Sequence, residues 1–317
     1  MLMRTALLAI VLALQAGQLP AATCGERGVA LQVLGSGGPV ADDARASSGY
    51  LIWYDGRARV LIDAGGGVFV RFGQSGAHIQ DLELLALTHL HTDHAADLPA
   101  LLKGGYFSSR STALPLSGPT GNQLMPSVGA FLEAMFSGSH GAFRYLSGLL
   151  DGTDGLFALQ PIELDANSRE PLKVFENDHL HVMAVGVAHG PIPTLGYLFR
   201  IAGKRIAIGG DQNLQRTAFT RLAAGADIMV MPMAIAEDSG RVARNLHATP
   251  AEIGAAAHRA SPKTLVVSHL MQRSLRDLDA SLAEIRSRYS GNLKVAEDLA
   301  CYTLGPAGPT RNSTHTN

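Results

Sequence analysis

The segment LTHLHTDHAADLP, residues 87–99, places three histidines and two aspartates directly after the apolar residues 84–87. His89 and His91 are two residues apart, so both point to the same side of an extended chain. Asp93 and His94 follow as the chain turns into a predicted helix. A His-x-His-x-Asp-His pattern at the end of a strand indicates a metal site, and such a loop can supply ligands to two metals.

Three further polar residues end apolar segments later in the chain: His189 in HVMAVGVAH, Asp211 in RIAIGGD and His269 in TLVVSH. In open α/β sheets, functional sites assemble at the carboxyl ends of the strands. Imidazoles and carboxylates are the usual nitrogen and oxygen ligands of zinc. We therefore expect two Zn²⁺ ions, with His189 completing one site, His269 completing the other and Asp211 bridging them. Such pairs lie roughly 3.5–4 Å apart and activate a bridging water as the nucleophile.

His247 lies in the segment NLHATPAE, immediately before a predicted helix. Thr249 and Glu252 have the spacing of a capping box, which would fix the backbone here. We expect His247 to protonate the leaving group or to stabilise developing charge. Asp97 is expected on a helix surface or as a hydrogen-bond partner of a ligating histidine. His179 and His181 precede their strand and are predicted to be surface residues.

The remaining pattern predicts one α/β domain, residues 23–305, in which strands and helices alternate in two halves. Asp55-Gly56 predicts a hairpin. Strands are predicted at 29–34, 50–54, 59–62 and 82–88, and again from residue 172. Helices are predicted at 95–102, 250–259 and 275–289. Residues 106–166 are rich in Gly, Ser and Pro and are predicted to form loops and short helices that shape the substrate pocket.

The first 22 residues have the pattern of a signal peptide, with Arg4, an apolar run at 6–14 and small residues at 21–22. An uncleaved anchor or a lipid on Cys24 are the alternatives. We expect a periplasmic or secreted protein that has no stable membrane insertion after cleavage. In an oxidising compartment Cys24 and Cys301 can form a disulfide, although their distance cannot be read from the sequence. Residues 306–317 are predicted to be a disordered tail.

The charge balance is nearly neutral: 26 basic and 27 acidic residues give a formal net charge of -1. Nucleic-acid-binding domains usually carry an excess of basic residues. The charge balance therefore does not indicate a nucleic-acid partner, and we expect a small-molecule substrate instead. The hydrophobic fraction of 46% is sufficient for a sizeable core.

Together, the motif THLHTDH and the later residues resemble the metallo-β-lactamase superfamily over essentially the whole mature chain. The resemblance implies a four-layer αβ/βα sandwich with a dinuclear site at one edge. It assigns His89, His91, His189 and Asp211 to one metal, and it assigns Asp93, His94, Asp211 and His269 to the other. Because His91 stands where the flavin-linked di-iron branch has glutamate, the resemblance implies zinc.

Further motifs resemble the ribonuclease Z-like branch, near which phosphodiesterases and exported arylsulfatases lie: LGSGGP, LIDAGGG, HAADLPALL, SGPTG, AHGPIPTLGY, HATPAEIGAAA and LVVSHL. Two features depart from the tRNA-processing enzymes. Pro232 stands where their glutamate would partner the equivalent of His247, and no long Gly/Pro-rich arm is present. This branch also often forms homodimers.

The sequence therefore predicts an exported dinuclear zinc hydrolase that cleaves a phosphodiester or sulfate ester of a small molecule. In this scheme Asp93 orients the nucleophile while remaining a ligand, and His247 assists the departure of the leaving group. The alternatives are an amide or lactone hydrolase of β-lactamase or lactonase type, and a zinc-binding protein without catalysis.

Overall fold

The computed structural model describes residues 24–305, whose centre is formed by two seven-stranded sheets. The first sheet contains, in spatial order, β14 (Cys301–Thr303), β1 (Val29–Gly35), β2 (Gly49–Tyr54), β3 (Arg57–Ile62), β4 (Leu84–Ala86), β5 (Leu114–Pro119) and β6 (Leu159–Leu164). The second contains β13 (Asn292–Val295), β12 (Thr264–Ser268), β11 (Ile228–Pro232), β10 (Lys204–Ile208), β9 (Ile192–Ile201), β8 (Leu180–His189) and β7 (Leu172–Glu176).

Helices connect the strands and cover the sheets. They are α1 (Val68–Gln74), α2 (Thr92–Ala95), α3 (Leu98–Gly105), α4 (Val128–Phe136), α5 (Ala218–Leu222), α6 (Arg241–Leu246), α7 (Pro250–Ala260), α8 (Gln272–Leu275) and α9 (Leu278–Arg286). Two 3-10 helices lie at Ile79–Asp81 and Arg144–Leu149. Across residues 24–305, no helix combines the length and the apolar character needed to cross a membrane.

Three apolar clusters fill the spaces between the layers. Strand β1 contributes side chains to two of these clusters. Leu31 and Val33 belong to the cluster between the sheets, whereas Ala30 and Leu34 face the helices outside the first sheet. This alternation follows from the two-residue period of a strand. A third cluster lies between the second sheet and helices α5, α7 and α9. The predicted four-layer αβ/βα sandwich is confirmed.

The strand directions bring several carboxyl ends to one edge. In the first sheet β3, β4, β5 and β6 are parallel. In the second sheet β10, β11 and β12 are parallel, and β8 has the same direction as β10 because both are antiparallel to β9. The residues that follow β4, β10 and β12, together with the last residue of β8, therefore share one region of the molecule.

Two buried tyrosine hydroxyls connect the sheets next to this region. Tyr197 of β9 donates a hydrogen bond to the carbonyl oxygen of Leu87 at 3.0 Å, and Tyr50 of β2 donates to Ser268 Oγ at 2.9 Å. Burial raises the pKa of Tyr50, so its hydroxyl remains a donor. These bonds tie the residue that follows β4 to the second sheet and the end of β12 to the first sheet.

The local predictions are confirmed where a turn or cap has a definite chemistry. Asp55 and Gly56 form the hairpin turn with φ angles of 47° and 76°, the positive values that this turn requires. Thr249 and Glu252 form the predicted capping box of α7. Residues 1–22 and 306–317, predicted as a signal peptide and a tail, lie outside the described residues.

Three predicted boundaries were wrong. The strand predicted at 82–88 extends only from Leu84 to Ala86, because the N–H of Thr88 donates to the Asp63 carboxylate instead of a neighbouring strand. The helix predicted at 95–102 is interrupted at Asp97, and α3 continues to Gly105. The helix predicted at 275–289 is two helices, because Asp277 has non-helical φ and ψ angles.

The prediction for residues 106–166 was also wrong, because this region contains strands β5 and β6 as well as helices. Pro115, Pro119 and Pro161 lie within these strands. Proline has no backbone N–H to donate to a neighbouring strand, so its presence in a segment argues against predicting a strand there. Here β6 is an edge strand, and two of the prolines lie near the ends of β5.

Cys24 and Cys301 form a disulfide, with their Cα atoms 5.7 Å apart. The bond joins the residues before β1 to β14, which pairs with β1 at the edge of the first sheet. The two cysteines are separated by 277 positions in the sequence. The disulfide therefore closes almost the whole domain into one covalent loop.

Candidate metal centre

The seven residues predicted as metal ligands converge where the carboxyl ends of the strands meet. Six of them are buried, and His91 is half-buried. Their nitrogen and oxygen atoms form two compact groups. The first group contains His89, His91 and His189, and the second contains Asp93, His94, Asp211 and His269. The division matches the two sites predicted from the sequence, apart from the place of Asp211.

In the first group, His89 Nε2 and His91 Nδ1 lie 3.0 Å apart. The His189 ring lies at 5.1 and 5.2 Å from these two rings, measured between centroids. His189 Nδ1 donates a hydrogen bond of 2.8 Å to the carbonyl oxygen of Leu246, the last residue of α6. This bond fixes the tautomer and directs Nε2 towards the other two histidines.

In the second group, His269 Nε2 lies 3.1 Å from both Asp93 Oδ2 and Asp211 Oδ2. His94 Nε2 lies 3.6 Å from Asp93 Oδ2 and 3.7 Å from Asp211 Oδ1. Asp211 also faces the first group, because its Oδ2 lies 3.7 Å from His189 Nε2. One carboxylate thus lies between the two groups, as a bridging ligand requires.

Several of these atoms are buried without a hydrogen-bond partner, namely His94 Nε2, His189 Nε2 and Asp211 Oδ1. A buried polar atom that lacks a partner is costly, so native structures usually pair it. Here the unpaired atoms are nitrogen and oxygen atoms of the kind that bind metals. They point at one another across gaps too long for a hydrogen bond. This donor set fits bound divalent metal ions.

The charges of the second group are strongly coupled. Burial alone would raise the pKa of Asp211, but the neighbouring His269 and His94 hold it well below its usual range. Burial opposes protonation of His269, yet the charge of Asp211 and the hydrogen bonds that His269 donates to Asp211 and Asp93 raise its pKa to about 9. Positive charge is therefore favoured beside these carboxylates, as it would be if a metal cation bound there.

Asp63 supports this group and was missed from the sequence as a functional residue. Its Oδ2 accepts hydrogen bonds from His94 Nδ1 at 2.8 Å and from Thr88 Oγ1 at 2.9 Å, and its Oδ1 accepts one from the N–H of Thr88 at 2.7 Å. Because His94 Nδ1 donates this hydrogen bond, Nε2 is the ring nitrogen that can bind a metal. The signal was the aspartate in LIDAGGG, a motif that contributed only to the family resemblance.

Two glycines allow the surrounding loops to approach the centre. A Cβ atom on Gly65 would lie 2.1 Å from the carbonyl oxygen of Asp93, and one on Gly38 would lie 2.7 Å from Cε1 of the His269 ring. Asp63 and His269 themselves have φ angles of 56° and 53°. Non-glycine residues rarely adopt such angles, and those that do cluster at functional sites.

His247 lies beside the centre, where Nδ1 is 3.9 Å from Asp211 Oδ2. Burial lowers its pKa to about 3, so the imidazole is neutral at ordinary pH. Nδ1 has no hydrogen-bond partner among the described residues. Glu237, the next acid after Pro232, instead accepts hydrogen bonds from Thr249 Oγ1 and the N–H of Ala251 at the start of α7.

The other polar residues singled out from the sequence lie outside the centre. Asp97 accepts hydrogen bonds from the N–H groups of Gly67 and Phe69 at the start of α1, so it does not support a ligating histidine. His179 contacts Glu83, and His181 contacts Glu176.

An open cavity of about 570 Å³ gives access to the centre. His91, Asp93, His189, Asp211 and His269 form its floor. Its walls are lined by Pro39, Leu90, Thr92, Met125, Leu246, His247, Met271 and Arg273. A substrate in this cavity would touch both groups of ligands and His247.

A family model described as the β-lactamase superfamily domain matches residues 58–270, which include all seven predicted ligands and His247. The chain belongs to the metallo-β-lactamase superfamily. It also belongs to the ribonuclease Z-like branch, as its relatives show. A protein named Ribonuclease Z from Mycobacterium bovis (strain BCG / Pasteur 1173P2) is 28% identical over 287 residues, which are 85% of this chain and 96% of that protein.

A second relative and a solved structure extend the comparison. A Ribonuclease Z from Mycobacterium sp. (strain KMS) is 30% identical over 283 residues, covering 86% of this chain and 94% of the relative. The crystal structure of human tRNase Z, short form, has a TM-score of 0.65 with 20% identity, and it covers 87% of this chain and 99% of the human chain. At this identity the human structure supports the fold alone.

The prediction of a small phosphodiester or sulfate ester as substrate, with no nucleic-acid partner, was wrong. The relatives that cover 85–86% of this chain are named Ribonuclease Z. The error came from reading a net charge of -1 as evidence against nucleic acid. A net charge sums the whole chain, whereas contacts with phosphate depend on where the charges lie. The expected homodimer stays a prediction.

Asp63 provides a direct test of this geometry. We expect Asp63→Asn to weaken zinc binding by about 10–100-fold, because the His94 ring loses the carboxylate that orients it. Competition with a chromophoric chelator measures the affinity. Asp97→Asn is the matched control, since Asp97 bonds only to α1 and should retain wild-type affinity. Equal zinc affinity in both variants, with unchanged thermal melting, would contradict the assigned role of Asp63.

Proposed function

We propose that this protein is a ribonuclease Z-like metal-dependent nuclease that hydrolyses a phosphodiester bond of RNA. The observation that carries the proposal is the pairing of two ligand groups around Asp211 in a chain whose relatives, over 85–86% of its length, are named Ribonuclease Z. The open cavity above the centre supports it, because a polymer can cross an open site.

We assign two Zn²⁺ ions to the two groups. One ion would be held by His89, His91 and His189. The other ion would be held by Asp93, His94 and His269, and Asp211 would be a ligand of both ions. Imidazole and carboxylate donors suit zinc. When bound, a metal pair lowers the pKa of a shared water and neutralises charge on a phosphoryl group.

The protein's own residues position the reactants. The carboxylate of Asp93, held by His269, faces the cavity and can accept a hydrogen bond from the attacking water. His247 lines the same cavity as a neutral imidazole. It can therefore donate a hydrogen bond to a phosphoryl oxygen or to the leaving oxygen, which stabilises the charge that develops there.

Arg273 offers a second contact for the substrate on the cavity wall. Its Nε donates a hydrogen bond of 2.7 Å to the carbonyl oxygen of Ala234, which anchors the guanidinium group. The terminal nitrogens keep N–H groups for other acceptors. An anchored guanidinium matches the geometry of a phosphate.

The central test is hydrolysis of a tRNA precursor transcript that carries a 3′ trailer by the zinc-loaded protein. Attack by water predicts products ending in 3′-hydroxyl and 5′-phosphate groups, and a 2′-deoxy residue at the scissile bond should not stop cleavage. Mass spectrometry identifies the ends. We expect Asp211→Ala to abolish cleavage and His247→Ala to lower kcat by about 10²–10⁴-fold.

Two results would contradict the proposal. One is a zinc-loaded protein that leaves the transcript intact while hydrolysing other esters. The other is a 2′,3′-cyclic phosphate product, because that end arises from attack by the neighbouring 2′-hydroxyl rather than by water. Wild-type activity in Asp211→Ala would remove the two-metal assignment.

We also propose a periplasmic or secreted location. The proposal rests on the signal-like residues 1–22 and on the disulfide between Cys24 and Cys301, since disulfides persist mainly in oxidising compartments. Alkylation with a mass-shifting maleimide, applied to fractionated cells of the native host, measures the redox state. The expected result is an exported chain without free thiols, and a reduced cytoplasmic chain would contradict the location.

A further inference from the structure

A second cavity, here called the arginine cavity, lies outside the metal centre and has a volume of about 380 Å³. Its polar lining residues are Arg169, Glu170, Gln215, Arg216, Thr217 and Arg221. Three arginines and one glutamate thus line this cavity. Such a lining has a positive potential despite the nearly neutral net charge of the chain.

The charge of these arginines is not neutralised by neighbours. Within residues 24–305, the arginines that form ion pairs are others: Arg45, Arg57, Arg59, Arg71, Arg244 and Arg288. Arg216 Nη1 donates to the carbonyl oxygen of Ala166 at 2.9 Å, and Arg221 Nη1 donates to Thr217 Oγ1 at 2.8 Å. These bonds hold both side chains in place and leave their other N–H groups for a ligand.

A smaller cavity of about 220 Å³ lies beside the arginine cavity and is lined by residues next to His189. Arg216 lines both of these cavities. The smaller one also reaches Ala188 and Gly190, the two neighbours of His189. On its other side is Asn122, whose Oδ1 accepts a hydrogen bond from the N–H of Met125 on the wall of the metal cavity.

The spacing separates the arginine cavity from the reacting phosphate. The loop that carries Arg169 is fixed to β8 by a 2.9 Å bond from the N–H of Gly186 to the carbonyl oxygen of Ser168. Gly186 precedes His189 by three residues, which is about 10 Å along a strand. The arginine cavity and the cavity over the metal centre also share no lining residue, so a phosphate bound by Arg169 would be a different one from the phosphate at the metal centre.

We propose that the arginine cavity binds the phosphate backbone of the RNA away from the scissile bond. The inference rests on the proposed function and adds a subsite to it. Arginine forms paired hydrogen bonds with phosphate, and contacts of this kind position a nucleic acid without reading its sequence. The smaller cavity, which borders Arg216 and the two neighbours of His189, would be the route of the RNA chain between the two phosphates.

The test compares the binding of RNA by wild type and by the triple variant Arg169→Ala/Arg216→Ala/Arg221→Ala. The probe is the fluorescein-labelled tRNA precursor transcript, and fluorescence anisotropy in EDTA measures Kd over a range of KCl concentrations. We expect the triple variant to raise Kd at low salt at least about tenfold. The slope of log Kd against log[KCl] should fall by about 0.7–0.9 for each lost phosphate contact.

Arg286→Ala is the matched control, because it removes one exposed positive charge from α9 and should leave both Kd and the slope unchanged. Turnover of bis-p-nitrophenyl phosphate by the zinc-loaded triple variant should equal that of wild type, since this small ester reaches only the metal centre. A triple variant with wild-type Kd and slope overturns the inference, as does wild-type protein that does not bind the transcript. Binding without cleavage in zinc would instead contradict the proposed function alone.

Discussion

The carboxylate of Asp211 is the constraint around which the site is built. It is 2% exposed, and its two oxygens lie 3.1–3.9 Å from nitrogens of four imidazole rings. A buried charge of this kind is costly unless it is paired. The fold meets the cost by directing His94, His189, His247 and His269 at it from different elements. That arrangement requires the strand ends of the two sheets to keep their positions relative to each other. The tyrosine hydrogen bonds between the sheets help to hold them there.

The family resemblance implied the four-layer fold, and the convergence of the seven candidate ligands could be predicted because it depends on local patterns. The His-x-His-x-Asp-His segment and three apolar segments that end in His189, Asp211 and His269 identify a shared strand edge without any knowledge of distances. The hairpin turn at Asp55 could likewise be predicted from the sequence. These features depend on a residue's own backbone and its near neighbours, so tertiary contacts do not change their meaning.

What the sequence could not predict depends on long-range packing and on the distribution of charge. Asp63 lies 31 residues before His94, and only the folded chain shows that its carboxylate orients that ring. Strand β6 contains Pro161 and is stabilised by its neighbour β5 rather than by its own propensity. The error about nucleic acid has the same origin, because Arg169 and Arg216 come together only through the packing of their loops.

We propose that the two ligand groups hold two metals and that Asp211 bridges them. Anomalous diffraction at the zinc edge, from crystals of the zinc-loaded protein, measures this directly. We expect two zinc positions roughly 3.5–4 Å apart, with one oxygen of Asp211 or both in contact with the pair. A single zinc position, or two positions that Asp211 does not join, would contradict it.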